Sequence, residues 1–207
     1  MIYHEFSNGV LLGFPSIILR RDIPNAIPLN RSIAAYLRED RGRNPLPSQS
    51  AVRGWQSATD LAKRNDPNLN KLFSHIGSGL LDVCSASFGF PVTPKDCQVD
   101  AEAWGNIQSD RDFTVVHNHV RSDWSGVYYV TVGDGRDRGV LELIDPRTVQ
   151  EPIGPGRFKR PQREITIAPH DGLLVIWPSW MKHVVYPIEG EGERISIAFN
   201  ARIRFLA

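Results

Sequence analysis

The pattern of hydrophobic and polar positions changes near the middle of the chain. Before Val99, apolar residues recur mostly at helical spacing, whereas after it they form short or alternating runs that Gly, Pro and Asp interrupt. We therefore expect a single domain, 1–207, with two parts: a strand and helical support region, 1–98, and a β-rich core, 99–207.

The first part predicts two helices. Asn30 can cap a short helix that extends to Asp40, with its apolar residues at helical spacing. Asp66 followed by Pro67 is typical of a helix start, because the carboxylate caps the first turn and proline fits the first helical position. This second, longer helix should end before Gly89.

Short strands dominate the second part. The predicted strands span residues 99–108, 113–119, 125–132, 139–144, 163–168, 172–177, 183–188 and 194–203, and residues 10–19 predict a further strand or strand pair. Short strands with turn-rich connections indicate a sandwich, a barrel or a jelly roll. The helices of the first part would then pack outside one sheet.

Composition and charge restrict the function classes. Hydrophobic residues make up 41% and charged residues 23% of the chain, as in ordinary globular proteins. The 24 basic and 23 acidic residues give a net charge of +1, so we expect no nucleic-acid partner. We find no export pattern and no apolar run of about 18–20 residues, so we expect a cytoplasmic protein with no membrane partner. Cys84 and Cys97 lack metal-ligand spacing and are expected to be buried thiols.

Three histidines are candidate metal ligands. His117 and His119 lie in the apolar run 113–120, and strand alternation would place them on one face, about 7 Å apart. Two imidazoles at that spacing can bind one ion, although a polar strand face has the same pattern. His183 opens a predicted strand just after the apolar run 173–178, where it is either structural or faces the mouth of a barrel.

An arginine inside a predicted strand is a candidate anion site. Arg194 and Ser196 share one strand face, and an inward arginine is costly unless an anion meets it. A guanidinium binds a carboxylate through two parallel hydrogen bonds. An internal pair with Asp or Glu is the alternative explanation.

The order of these motifs resembles the 2-oxoglutarate/Fe(II)-dependent oxygenase superfamily, and more narrowly a bacterial and phage subfamily with a His-x-His motif. The resemblance covers about residues 50–203. Its motifs are Gly54-Trp55-Gln56-Ser57, Trp104-Gly105-Asn106-Ile107, His117-Asn118-His119, Ser125-Gly126-Val127-Tyr128-Tyr129, Asp145-Pro146-Arg147, Pro178-Ser179-Trp180-Met181-Lys182-His183 and Glu193-Arg194-Ile195-Ser196-Ile197-Ala198-Phe199-Asn200.

The resemblance implies a mainly β fold with flanking helices, the double-stranded β-helix, which is also called a jelly roll and is cupin-like. It implies a dioxygenase that uses Fe(II), O2 and 2-oxoglutarate to hydroxylate an unidentified substrate, with release of succinate and CO2. His117 and His183 would bind the metal. His119 would be the third ligand, at a position where most of the superfamily has a carboxylate.

The resemblance also predicts a co-substrate pocket. Arg194 and Ser196 would bind the distal carboxylate of 2-oxoglutarate, with Asn106 and either Tyr128 or Tyr129 as further contacts.

Several alternatives stay open at this point. Asp123 or Asp112 could join the metal ligands, and a cupin-type dioxygenase or isomerase would use the ion without 2-oxoglutarate. A non-catalytic module that binds a metal or a small molecule would also fit the histidines. Arg194 favours the oxygenase, because cupins need no arginine for a co-substrate. A homodimer is a further expectation. The basic segment 157–163 is either a surface loop or a lid over the substrate site.

Overall fold

The computed structural model describes residues 4–5, 11–12, 15–45, 51–133, 138–146 and 164–206. Outside these ranges lie residues 134–137, Arg147 and the basic segment 157–163. What the sequence predicted for them is therefore not tested by the structure. The helices are α1 (Ala26–Arg43), a 3-10 turn (Leu61–Lys63) and α2 (Pro67–Phe88). The strands are β1 (His4–Glu5), β2 (Leu11–Leu12), β3 (Leu19–Asp22), β4 (Ala51–Val52), β5 (Trp55–Gln56), β6 (Cys97–Gln108), β7 (Phe113–His117), β8 (Trp124–Thr131), β9 (Leu141–Ile144), β10 (Glu164–Ile167), β11 (Leu173–Pro178), β12 (His183–Val185) and β13 (Arg194–Phe205).

Helix α1 begins four residues before the predicted start. Asn30 is not its cap but lies inside the helix, 7% exposed, where its side-chain carbonyl accepts a hydrogen bond from the Tyr128 hydroxyl. Pro28 is tolerated because the first turn of a helix has N–H groups without helical partners. The prediction of a cap at Asn30 was therefore wrong, since the asparagine serves a tertiary contact.

Helix α2 begins where the sequence predicts. The Asp66 side chain accepts hydrogen bonds from the backbone N–H groups of Asn68 and Leu69, both at 2.9 Å. Gly89 closes the helix with φ 76°, a left-handed conformation that glycine adopts without strain. No helix among the described residues is long and apolar enough to cross a lipid bilayer.

Two antiparallel sheets face each other. The larger sheet has six strands in the order β3-β11-β8-β13-β6-β5, and the smaller has five in the order β10-β9-β12-β7-β4. From β6 to β13 the chain crosses repeatedly between the two sheets, with β9 and β10 consecutive in the smaller one. This is the double-stranded β-helix that the family resemblance implied. Strands from the first hundred residues complete the edges of both sheets.

Helices α1 and α2 pack on the outer face of the larger sheet. Alternate side chains of its strands point to the helices or to the smaller sheet, because successive strand residues face opposite ways. The helix-side core contains Leu37, Leu72, Ile76, Leu80, Tyr128, Ile176, Ile195 and Ile197, and the core between the sheets contains Val127, Tyr129, Leu141, Leu143, Leu173, Val175 and Trp177. This division decides which residues of each strand can reach the space between the sheets.

The strands predicted after residue 98 differ from the observed ones by one to three residues at an end, and two predicted strands differ in a way that changes an argument. The run 10–19 is split, with β2 at its start and β3 beginning only at Leu19. Strand β7 ends at His117, so His119 lies beyond it rather than on the same strand face. The argument that placed His117 and His119 together by strand alternation was therefore wrong in detail.

Candidate metal centre and ligand cavity

Three histidines converge between the two sheets. Potential ligand atoms of His117, His119 and His183 all lie within 4.8 Å of one another. The ring centroid of His117 lies 4.2 Å from that of His183 and 4.9 Å from that of His119. This is the spacing at which three imidazole nitrogens could bind one metal ion.

The pairing of β7 with β12 explains how His117 meets His183. The two residues are directly opposite each other in the antiparallel pair, where side chains on one face approach closely. The next recorded pair joins Thr114 to Val185, so β7 contains one extra residue, a β-bulge. Because of the bulge, Thr114 and His117 both line the cavity although an odd number of positions separates them.

His119 reaches the same centre from a turn. Its backbone N–H donates to the carbonyl of Ser179 at 2.9 Å, and its own carbonyl accepts from the N–H of Ser122 at 3.1 Å. These bonds fix the turn after β7 against the segment that follows β11. The imidazole of His119 is thereby held 5.3 Å from that of His183, centroid to centroid.

Burial keeps two of the three imidazoles neutral. Burial, and secondly the neighbouring His117, lowers the pKa of His183 to about 3. The same two causes lower the pKa of His119 to about 4. Both rings therefore keep a lone pair available for a cation at neutral pH.

Backbone carbonyls set the tautomer of two histidines. Nδ1 of His117 lies 2.8 Å from the carbonyl of Val115, and Nδ1 of His183 lies 3.2 Å from that of Met181. A carbonyl can only accept, so each Nδ1 donates its hydrogen and each Nε2 retains its lone pair. Such a bond orients a metal-binding histidine and fixes its tautomer.

The two carboxylates near the His-x-His motif are engaged elsewhere. Asp123 accepts a hydrogen bond from the backbone N–H of Ile203 at 2.7 Å, and Asp112 accepts from that of Ser109 at 2.8 Å. Within the part of the chain that the structure describes, the three histidines form the only group of this kind suited to a metal. The geometry gives no support to the alternative in which an aspartate joins them.

Arg194 lies in the same cavity and is 2% exposed. One of its terminal nitrogens donates to the side-chain carbonyl of Gln108 at 2.6 Å and to the hydroxyl of Ser196 at 3.3 Å. No ion pair of Arg194 with a described carboxylate is present, so the internal Arg–Asp/Glu pair is not observed. Burial lowers the pKa of Arg194; the neighbouring Tyr129 opposes this shift, and the nearby cation of Arg138 adds a smaller lowering.

Three buried donors that line this cavity have no hydrogen-bond partner among the described residues. They are Nε of Arg194, the hydroxyl of Tyr129 and the indole nitrogen of Trp177. Tyr129 is 0% and Trp177 3% exposed, so water does not solvate these groups freely. A buried donor without an acceptor costs about 1–3 kcal/mol, which favours a bound ligand with several acceptor oxygens.

Strand register separates the two candidate tyrosines. Ser196 pairs with Asn106 on one side and Tyr129 on the other, and all three line the cavity. Tyr128 points the opposite way, into the helix-side core, where its hydroxyl donates to Asn30. Tyr128 is therefore corrected from a possible co-substrate contact to a core residue, because alternate strand residues face opposite sides.

Sequence reasoning missed four residues around the cavity. Gln108 lies two positions after Asn106 on the same strand face, so alternation could have indicated it. Trp177 gave no separate signal within the apolar run 173–178, and Asn200 gave none because Ser125 and His119, which it contacts, are distant in the chain. Arg138 directly precedes the predicted strand 139–144 and gave no signal, because arginines between strands are usually solvated, but it is 1% exposed.

Arg138 is a second buried cation without a described carboxylate partner. Its guanidinium donates to three backbone carbonyls, those of Val132 at 2.6 Å, Glu189 at 3.4 Å and Gly192 at 3.3 Å. These bonds connect the segment after β8 to the segment before β13. The second segment leads directly into Arg194.

Comparisons with known proteins agree with this geometry. Residues 102–200 match the model of a family described as "Putative 2OG-Fe(II) oxygenase". This range contains the three histidines, Arg194 and Ser196. Comparison with curated protein sequences gives no match.

Solved structures of 2-oxoglutarate oxygenases share the fold. A prolyl-4-hydroxylase of Pseudomonas putida is 18% identical, with 90% of this chain and 92% of that chain covered and a TM-score of 0.61. AviO1 from Streptomyces viridochromogenes is 14% identical over 90% of each chain, with a TM-score of 0.59. HygX from Streptomyces hygroscopicus, solved with nickel and 2-oxoglutarate bound, is 10% identical over 90% of this chain and 82% of that chain, with a TM-score of 0.60.

At these identities the structural likeness establishes the double-stranded β-helix, and the matching family model adds the relationship in sequence. Both agree with the motifs around His117, His183 and Arg194. Residues 102–200 therefore resemble the 2OG-Fe(II) oxygenases in sequence, and the chain shares the fold of solved members of that family.

Proposed function

We propose that this protein is a 2-oxoglutarate- and Fe(II)-dependent dioxygenase that hydroxylates a small-molecule substrate. The observation that carries the proposal is that Arg194, buried and without a described carboxylate partner, faces the same cavity as three convergent histidines. A guanidinium there is suited to the carboxylate of a ligand that also reaches the metal.

The donor set fits a divalent transition metal. His117, His119 and His183 would hold it through imidazole nitrogens, which suit iron as well as zinc, copper and nickel. Three neutral ligands leave the ion its full 2+ charge, whereas a carboxylate ligand would reduce it. A dianionic co-substrate then neutralises the ion by itself.

The opposite end of the cavity fits 2-oxoglutarate. Arg194 and Ser196 would bind its distal carboxylate, and Tyr129, whose ring centroid is 5.0 Å from the guanidinium carbon, would add a hydroxyl donor. Asn106 lies on the neighbouring strand and lines the same wall. The unpaired donors of Arg194, Tyr129 and Trp177 would acquire acceptors when the co-substrate is bound.

The reaction divides between the bound groups and the chain. When bound, Fe(II) and 2-oxoglutarate supply oxidising chemistry that uses O2 to hydroxylate a substrate, with succinate and CO2 as products. The chain holds and orients these groups. Apolar residues of the cavity wall, such as Val127, Leu141 and Phe199, exclude water from it.

Arg194 also discriminates between the alternatives. A cupin-type enzyme that uses the ion without 2-oxoglutarate has no requirement for a buried cation at this position. A non-catalytic metal-binding module would not require it either. A homodimer and a cytoplasmic location stay predictions from the sequence; the buried free thiols of Cys84 and Cys97 support the latter.

The proposal is tested by calorimetric titration of 2-oxoglutarate into anaerobic, Fe(II)-loaded protein. We expect micromolar binding, no binding to metal-free protein, and succinate release once a substrate is found. Arg194→Ala should weaken binding at least 100-fold, because it leaves the co-substrate carboxylate buried without its cation. The matched control is Arg204→Ala on the same strand, since Arg204 is solvent-exposed and should leave affinity unchanged.

Trp177 provides a second test of the pocket. Trp177→Phe removes the indole donor but keeps an aromatic ring, and should weaken 2-oxoglutarate binding about 3- to 10-fold, as expected for one hydrogen bond. Trp180→Phe is the control, because Trp180 is 46% exposed and does not line the cavity. If metal-loaded wild-type protein binds no 2-oxoglutarate, the oxygenase proposal is wrong and a cupin-like or non-catalytic site is favoured.

A further inference from the structure

His119 differs from the other two histidines in the partner of its Nδ1 atom. His117 and His183 each donate from Nδ1 to a nearby backbone carbonyl. Nδ1 of His119 instead lies 3.3 Å from the side-chain amide nitrogen of Asn200. An amide can offer either a donor or an acceptor, so this contact does not fix the tautomer in the way that a carbonyl does.

The Asn200 amide is itself part of a hydrogen-bond network whose two serines are buried. Its carbonyl oxygen lies 2.8 Å from the hydroxyl of Ser125, which pairs directly with Asn200 across strands β8 and β13. The Ser125 hydroxyl lies 3.0 Å from that of Ser179. Ser125 is 1% and Ser179 0% exposed, so bulk water does not disturb this part of the network.

The donors and acceptors of this hydrogen-bond network can be arranged in two directions, called its two polarities, with the same number of hydrogen bonds in each. In one, Ser179 donates to Ser125, Ser125 to the Asn200 carbonyl, and the Asn200 amide to Nδ1 of His119. The hydrogen of the neutral imidazole is then on Nε2, which has no lone pair for a metal. In the other, the amide is reversed, Nδ1–H of His119 donates to the Asn200 carbonyl, and Nε2 is free.

We propose that Asn200, supported by Ser125 and Ser179, is a positioning residue that holds His119 in its metal-binding tautomer. Metal binding through Nε2 selects the polarity in which the Asn200 carbonyl accepts the Nδ1 hydrogen. In the structure the amide nitrogen of Asn200 faces Nδ1 of His119, which corresponds to the opposite polarity, and we expect this polarity when no metal is bound. The inference rests on the proposed metal site but not on any particular reaction.

His119 is an imidazole at a position where most of the superfamily has a carboxylate, so its tautomer affects metal binding. A carboxylate ligand has no tautomers, whereas an imidazole in its place binds a metal only when the correct nitrogen is unprotonated. His117 and His183 obtain this selection from the carbonyls of Val115 and Met181. For His119, Asn200 provides it, and partners of this kind typically contribute 10- to 100-fold to metal affinity.

The test compares Zn(II) binding and histidine tautomers in three proteins. Two-bond ¹H–¹⁵N spectra of ¹⁵N-histidine-labelled protein report which ring nitrogen has the hydrogen, with Zn(II) as a diamagnetic probe. Wild-type His119 should change from the Nε2–H to the Nδ1–H tautomer when Zn(II) is added. Asn200→Asp offers acceptors only, so its His119 should have Nδ1–H before Zn(II) is added, and Zn(II) affinity should be kept or raised.

Asn200→Leu is the matched apolar variant. It should bind Zn(II) at least 10-fold more weakly than wild type, while His117 and His183 keep their tautomers. Affinity equal to wild type in a folded Asn200→Leu protein would overturn the role of Asn200 but not the metal site. Failure of the wild-type protein to bind Zn(II) would overturn both this inference and the proposed metal centre.

Discussion

His119 and His183 make the stability of the metal-free protein depend on pH. Burial holds their pKa values at about 4 and about 3 in the folded state, below the value of about 6.5 for an unfolded histidine. Between these limits the unfolded chain binds protons that the folded chain does not, so the folded state loses stability as the pH falls. Above pH 6.5 both states are neutral at these positions and the contribution is constant.

We therefore predict that the urea midpoint of metal-free protein falls as the pH is lowered from about 6.5 towards 4. His183→Gln should flatten this dependence, because the buried ionisable group is removed. The measurement is urea unfolding at a series of pH values, followed by circular dichroism. A slope in His183→Gln as steep as in wild type would show that other groups cause the effect.

At the scale of single residues, the sequence indicated the groups with the strongest chemistry. Histidines and an arginine inside apolar strands stand out, because burial of such groups needs a partner. Gln108 and Asn200 did not stand out, since their roles depend on contacts across strands. The Arg194–Gln108 bond, for example, joins residues 86 positions apart in the chain.

At the scale of elements, helix starts were predictable only where the capping side chain serves the helix itself. Asp66 bonds the first turn of α2, as its neighbour Pro67 suggested. Asn30 bonds Tyr128 on a strand of the sheet, and nothing local in the sequence distinguishes the two uses. The bulge in β7 was also unpredicted, because it is defined by the register of β12.

The cap of α2 gives a prediction at this scale. Asp66→Ala should lower the free energy of unfolding by about 0.5–2 kcal/mol, because two backbone N–H groups lose their acceptor. The control is Asp82→Ala, where an exposed carboxylate pairs with an exposed Arg21 and contributes little. Denaturant titration measures both variants, and equal losses would contradict the capping role.

At the scale of the whole molecule, the number and spacing of the strands predicted a sandwich, a barrel or a jelly roll, and the family resemblance implied the double-stranded β-helix. The strand order did not follow from local patterns. Strands β6 and β13 pair over their full lengths although the rest of the core separates them in sequence. The sequence predicted that the helices pack outside one sheet, but it did not predict which strands α1 contacts closely, among them β6. The contact with β6 depends on Gly105, where an added Cβ would lie 2.5 Å from Cδ2 of Leu37.

A mutation in the helical layer should change the stability of the protein without changing the ligand affinity of the cavity. Gly105→Ala requires the Leu37 side chain, or α1 with it, to shift, and should lower the free energy of unfolding by about 1–3 kcal/mol. Affinity for 2-oxoglutarate should change little, because Gly105 points away from the cavity. Gly77→Ala is the control, since a Cβ there meets nothing within 4 Å.

Unfolding in denaturant and calorimetric titration measure the two properties of each variant. Gly77→Ala should be as stable as wild type or up to about 1 kcal/mol more stable, because alanine favours a helix over glycine. A large loss of 2-oxoglutarate affinity in folded Gly105→Ala protein would show that the helical layer and the cavity are coupled.

Arg138 has a consequence for motion at one end of the cavity. A single guanidinium donates to carbonyls of two separate segments, so neither segment can open without leaving a buried charge with fewer partners. The residues around 132 and those around 189–192 therefore form one cooperative unit of local unfolding. Arg194 follows the second segment directly. Local opening of this unit and release of the co-substrate carboxylate would therefore have the same activation barrier.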